Sequence, residues 1–172
     1  ITYVDAETNT RRTAGVIPLH GKEGFEGMRK AGGLTAQALD LLVDHVKPGV
    51  TTAFLDNLAY EFAMDHGAVP ATLFYKGYRH SICTSINHVV CHGIPDERPL
   101  RDGDIVNIDL TLIVDGWYGD SSRMFAVGEI SRKAERLIEV TYESLYAGIA
   151  AAMPGNTTGD IGAAIQAYAE AE

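Results

Sequence analysis

Positive charge is scarce in this sequence: 14 Lys and Arg stand against 23 Asp and Glu, for a net charge of −9. Such a balance argues against a nucleic-acid groove, which needs clustered cations to face phosphates. Long apolar runs are missing as well. The longest uncharged stretches are interrupted by Gly, Pro, Ser or Thr, so none matches a membrane span, and the opening residues do not resemble a signal peptide. Cysteine occurs only at Cys83 and Cys91. Without an export signal both are expected to be free thiols. Cys91 stands beside His92, but neighbours on a strand point to opposite faces, and a catalytic Cys and His usually lie far apart in sequence. That adjacency is a poor basis for a thiol nucleophile. Residue 1 is Ile rather than Met, which reads as a processed or trimmed N-terminus.

What the chain does contain is enough for one domain with a core: 172 residues, 46% apolar and 22% charged. Its acids could coordinate a cation or simply form a solvated surface, and composition does not choose between these. Residues 1–22 are polar, include Arg11-Arg12 and show no period, so they read as a loose N-terminal arm; residues 23–172 read as the folded body. From Glu23, the residues Phe25, Met28, Ala31, Leu34, Ala38, Leu42 and Val46 recur at helical spacing until Lys47-Pro48-Gly49. A second helix is expected from the Thr51-Thr52 cap through Leu55, Leu58 and Phe62 to Gly67. Strands are expected at Ala71–Tyr75, Ser81–Cys91, Asp104–Val114 and Trp117–Val127. A third helix follows the Ser131 cap and closes at Pro154-Gly155, and a fourth starts near Thr157-Thr158.

Pro48-Gly49-Val50-Thr51-Thr52 recurs as Pro154-Gly155-Asn156-Thr157-Thr158. Leu55 then aligns with Ile161, Phe62 with Tyr168 and Ala63 with Ala169. Two readings remain open. The recurrence is either an internal repeat of two helices followed by strands, or ordinary helix-loop-helix chemistry met twice. Under the first reading, the chain is expected to stop before the sheet half of its second copy.

The segment Ile105 to Val114 alternates in polarity, and Asp115-Gly116 is a strong two-residue hairpin signal. Folding there pairs Val114 with Trp117, Leu112 with Gly119 and Thr111 with Asp120. Ile108, Leu110 and Leu112 then share an apolar face, while Asn107, Asp109, Thr111, Asp120 and Ser122 share the other. Asp109 and Asp120 fall on diagonal positions, roughly 7–8 Å apart at the backbone. Carboxylates so placed can hold one divalent ion between them, at oxygen–metal distances of about 2.0–2.2 Å. Without a cation or proton between them, two like charges on a half-buried face raise each other's pKa and cost stability. The alternative is a solvated polar face, the norm for antiparallel sheets, so periodicity alone leaves the metal as the minority reading. His92, in Asn87-His88-Val89-Val90-Cys91-His92-Gly93-Ile94-Pro95, is placed at a strand end from which it could reach a site, although a lone His is more often structural.

Three ordered motifs decide the matter. Val90-Cys91-His92-Gly93-Ile94-Pro95, Asp102-Gly103-Asp104-Ile105-Val106-Asn107-Ile108-Asp109 and Asp115-Gly116-Trp117-Tyr118-Gly119-Asp120-Ser121-Ser122 together resemble the signature of the type I methionine aminopeptidases. The resemblance runs from about Gly24 to Glu172. It implies an α+β, pita-bread (creatinase/aminopeptidase) fold, an antiparallel sheet flanked by helices, with only the N-terminal half and the first helices of the second half in this chain. It further implies removal of the initiator methionine from nascent proteins, near the ribosome and in the cytoplasm, by hydrolysis assisted by two divalent ions (Co, Mn, Fe, Zn or Ni). Asp109 would ligate one ion, Asp120 would bridge both, and His92 would be the catalytic contact to substrate near the scissile amide. Tyr75, Tyr78 and Cys83 match positions lining a pocket for the methionine side chain, where a thioether suits aromatic edges.

Two positions depart from the family pattern. Thr72 stands where many bacterial type I enzymes have Cys, and Lys76 where many have His. The family's remaining ligands, one His and two Glu, together with a second substrate-contacting His, lie beyond Glu172. None of His20, His45, His66, His80 or His88 sits in a motif that replaces them. The 172-residue polypeptide alone is therefore expected to bind metal poorly, to lack appreciable peptidase activity, and to associate with its missing half or with itself. The rivals are an Xaa-Pro peptidase of the same architecture and a non-catalytic binding module that kept the fold.

Overall fold

The computed structural model describes residues 2–8 and 14–172. Two short strands, β1 (Thr2–Asp5) and β2 (Val16–Leu19), pair in parallel as a separate ribbon. The arm is thus less irregular than its composition predicts; Arg11-Arg12 lies outside the described residues. Next come α1 (Lys22–Val43) and α2 (Thr52–Asp65), then β3 (Val69–Pro70), β4 (Cys83–Ile86), β5 (Ile105–Val114) and β6 (Trp117–Ala126). Two helices follow, α3 (Arg132–Ala151) and α4 (Thr158–Ala171). Among the described residues no helix is long and apolar enough to cross a membrane.

The sheet is organised around β5. One edge pairs along its whole length with β6; the other pairs with β4 through residues 106–109 and with β3 through residues 112–113, all antiparallel. The hairpin has the register read from the sequence: Val114 opposite Trp117, Leu112 opposite Gly119 and Thr111 opposite Asp120. Asp115 (φ 51°) and Gly116 (φ 83°) both adopt the left-handed conformation that a two-residue hairpin turn demands.

Alternation then sorts the two faces. Ile108, Leu110 and Leu112 are fully buried and join Leu39, Leu42, Leu55 and Ala59 of the helices in one core. α1 lies across this face unusually closely. The Thr35 hydroxyl donates to the Gly119 carbonyl at 2.8 Å, and a Cβ at residue 119 would overlap the backbone of Ala31. Gly119→Ala is therefore expected to separate the helix from the hairpin and destabilise the fold by at least about 3 kcal/mol, read as a shift in the urea midpoint. A near-native midpoint would show that the contact can relax. The helical face differs at its start from the sequence expectation. Phe25 and Met28 are half exposed or more, and the buried stripe is Ala31, Thr35, Ala38, Leu39 and Leu42.

The two Pro-Gly-x-Thr-Thr segments do the same local work. Each ends a helix and caps the next: Thr51 accepts from the Phe54 amide, and Thr157 forms a reciprocal cap with Asp160. α3 and α4 pack on each other, and α3 leaves Leu137, Leu145 and Ile149 exposed.

Candidate metal centre and substrate pocket

The face of the sheet away from α1 carries Asn107, Asp109 and Thr111 from β5, Asp120 and Ser122 from β6, and Cys83 and Ser85 from β4. Cys83, Asp109 and Ser122 form one cross-strand row, and Asp120 lies opposite Thr111 in the next, so the two aspartates are diagonal neighbours. Asp109 is half-buried and Asp120 exposed. Burial pushes the Asp109 carboxyl above the usual carboxylate range, the charge of Asp120 pushes it further, and His92 opposes both. The Asp109 carboxyl therefore feels both Asp120 and His92. Two carboxylates on diagonal positions of one sheet face have the donor chemistry a hard divalent cation requires. They are a partial set: among the described residues, no group of three or more His, Cys, Asp and Glu side chains closes into a metal cage.

His92 lies on a loop rather than at the strand end expected. β4 stops at Ile86 because Asn87 (φ 52°) turns the chain. The Asn87 side chain accepts from the Ile105 amide at 3.0 Å and donates to Asp104 at 2.8 Å. Burial works against Asp104's charge, but the amide of Arg101 and the Asn87 side chain outweigh it and hold the carboxyl below its ordinary range. The loop then returns along β4. The Gly93 amide donates to Ser85 Oγ at 3.1 Å, and the Gly93 carbonyl accepts from the Thr84 amide at 2.8 Å. His92, at φ 55°, is exposed, and its charge acts on Asp109. Cys91 is also exposed, and Cys83 buried, as free thiols.

The pocket residues divide. Tyr78 and Cys83 come together: burial raises both their pKa values, Tyr78 donates to the Ile82 carbonyl at 2.8 Å, and Cys83 feels the charge of Asp109 opposite it. Tyr75 does not join them; it is 63% exposed, with the Lys76 ammonium over its ring. Residues 71–75 are not a strand. The chain curls through left-handed Phe74 (φ 65°) and Lys76 (φ 49°) into a single 3₁₀ turn over Tyr75–Gly77. Thr72 faces inward, its hydroxyl against the carbonyls of His80 and Ser81. Sequence reasoning also passed over Asp56, a buried carboxylate on α2. Its signal was available: Thr52, Asp56, Ala59 and Ala63 fall at helical spacing on one face, and all four are buried.

The metallopeptidase family M24 pattern matches residues 26–172. The chain belongs to that family. Methionine aminopeptidase of Rickettsia prowazekii (strain Madrid E) is 57% identical over 154 residues, which cover 90% of this chain and 60% of that protein. A crystal structure of methionine aminopeptidase from the same organism superposes with a TM-score of 0.88, covering 90% of this M24 chain and 62% of the other. The Thermotoga maritima methionine aminopeptidase structure, 34% identical, gives 0.85 over 88% of this chain and 61% of that one. The chain thus spans about three fifths of the length of the relatives it matches. These neighbours confirm the pita-bread architecture of antiparallel sheet flanked by helices.

Proposed function

We propose that this M24 chain is the part of a methionine aminopeptidase that carries two of its metal ligands, its pocket wall and one catalytic imidazole. The observation that carries the reading is the diagonal placement of Asp109 and Asp120 on the face of the hairpin away from α1, with His92 near enough to act on the charge of Asp109. Asp109 and Asp120 would hold two divalent ions together with ligands from outside these residues. When bound, the ions supply an acidified water and polarise the methionyl carbonyl. His92 donates a hydrogen bond near the scissile amide as charge develops there. Cys83 and Tyr78 form an apolar wall with a polar tip, suited to a thioether side chain. The natural substrate is the N-terminal methionine of nascent polypeptides, met in the cytoplasm near the ribosome. The exposed apolar stripe of α3 is covered by the segment that completes the site.

The test compares the 172-residue polypeptide with a protein carried to the full length of its relatives, on Met-Ala-Ser and Xaa-Pro peptides. The expected result is Met-Ala-Ser cleavage by the longer protein alone. Cleavage by the 172-residue chain would refute the division of ligands, and preference for Xaa-Pro would transfer the protein to another branch of M24.

A further inference from the structure

Residues 80–82 lead into Cys83, yet they have no ladder partner, and Ser81 and Ile82 are buried. Buried peptide groups of this kind must be satisfied by side chains. One carboxylate does most of this. Asp56, on α2 and 7% exposed, accepts from the amides of Ser81 at 2.7 Å and Ile82 at 3.1 Å through one oxygen, and meets His80 Nδ1 at 2.8 Å through the other. The opposite side of the same three residues is held by Thr72 and Tyr78, which donate to their carbonyls. The His80 ring also stands edge-on to Tyr78, with ring centres 5.6 Å apart. Asp56 makes its hydrogen bonds to residues 80–82 rather than to Asp109 or Asp120. It fixes the backbone that leads into Cys83, the residue paired with Asp109, and that accepts from Tyr78 at the Ile82 carbonyl.

We propose that Asp56 is a positioning residue for recognition of the substrate side chain, acting through the amides of Ser81 and Ile82; this rests on the methionine aminopeptidase reading. A carboxylate accepting from backbone amides is a strong, directional anchor. Its loss lets the pocket wall drift while the aspartates of β5 and β6 stay in place, so binding of the methionine side chain suffers more than the chemical step.

The experiment uses the protein carried to the full length of its relatives and steady-state hydrolysis of Met-Ala-Ser and Leu-Ala-Ser. Asp56→Ala is expected to raise KM for the methionyl peptide about tenfold or more, to leave kcat within about threefold, and to narrow the preference for Met over Leu. Amide exchange at Ser81 and Ile82 should accelerate at least about tenfold. Asp56→Asn keeps an oxygen acceptor and should restore KM and protection, whereas Asp56→Glu, one methylene longer, should not. These two variants keep the proposal falsifiable should Asp56→Ala fail to fold. Unchanged KM in Asp56→Ala, a loss confined to kcat, or equal behaviour of Asp56→Asn and Asp56→Glu would overturn it. A wild-type protein inactive on methionyl peptides would instead overturn the functional reading on which it stands.

Discussion

Replacing Asp109 or Asp120 with Asn, in the protein carried to its relatives' full length, is expected to lower kcat on a methionyl peptide about a thousandfold or more. That is several kcal/mol of barrier, the scale on which a bound metal stabilises developing charge. Asn offers a neutral oxygen of the same shape, so the hairpin should keep its register while the attraction for a divalent cation falls. Stability should move the other way. Asp109 is half-buried, and both burial and the charge of Asp120 disfavour its ionised form. Removing either charge relieves that cost. In the presence of chelator, each Asn variant should therefore melt at the same temperature as the parent or above it, followed by circular dichroism. A lower melting temperature with activity retained would assign the aspartates to structure instead.

The second large effect is expected from Gly93→Ala. Gly93 is bonded to β4 on both sides, through its amide to Ser85 and its carbonyl to Thr84, and a Cβ at this position would overlap the Thr84 carbonyl. That neighbour is strand backbone and cannot step aside. The loop must lift instead, and His92 is the residue immediately before it. Displacing a catalytic contact by about 1 Å costs on the order of a hundredfold in rate, so kcat/KM should fall by that order. The helix and strand signals, and binding of metal by β5 and β6, should persist, because neither hairpin strand contains the altered residue. A rate near that of the parent would mean that His92 is not held by this contact, or does not act.

The hairpin was legible because three signals agreed there: alternation along β5, a turn dipeptide at Asp115-Gly116, and aspartates on the polar phase. When period and turn chemistry concur, register follows, since a slip of one residue would turn every apolar side chain to the wrong face. The helix starts were legible for a similar reason, because Thr51, Ser131 and Thr157 each accept a bond from a backbone amide in the first turn. Segment 71–75 and the two ends of the expected strand 81–91, outside β4, differ from the expectation because their composition favours strands while their backbone groups are taken by side chains remote in sequence. Asn87 ends β4 by bonding to Asp104 and Ile105, and Thr72 and Asp56 bind residues 80–82 in place of a ladder. Propensity says nothing about such long-range partners. The diagonal placement of the aspartates could therefore be read from the sequence, but not the loop geometry around His92, nor the buried carboxylate of Asp56.

The shared cation is tested most directly by anomalous diffraction from manganese-loaded crystals of the protein carried to the full length of its relatives. The account requires a manganese peak within coordinating distance of carboxylate oxygens from both Asp109 and Asp120, with His92 facing it. A peak that one of these side chains does not reach, or carboxylates directed away from each other into solvent, would contradict it.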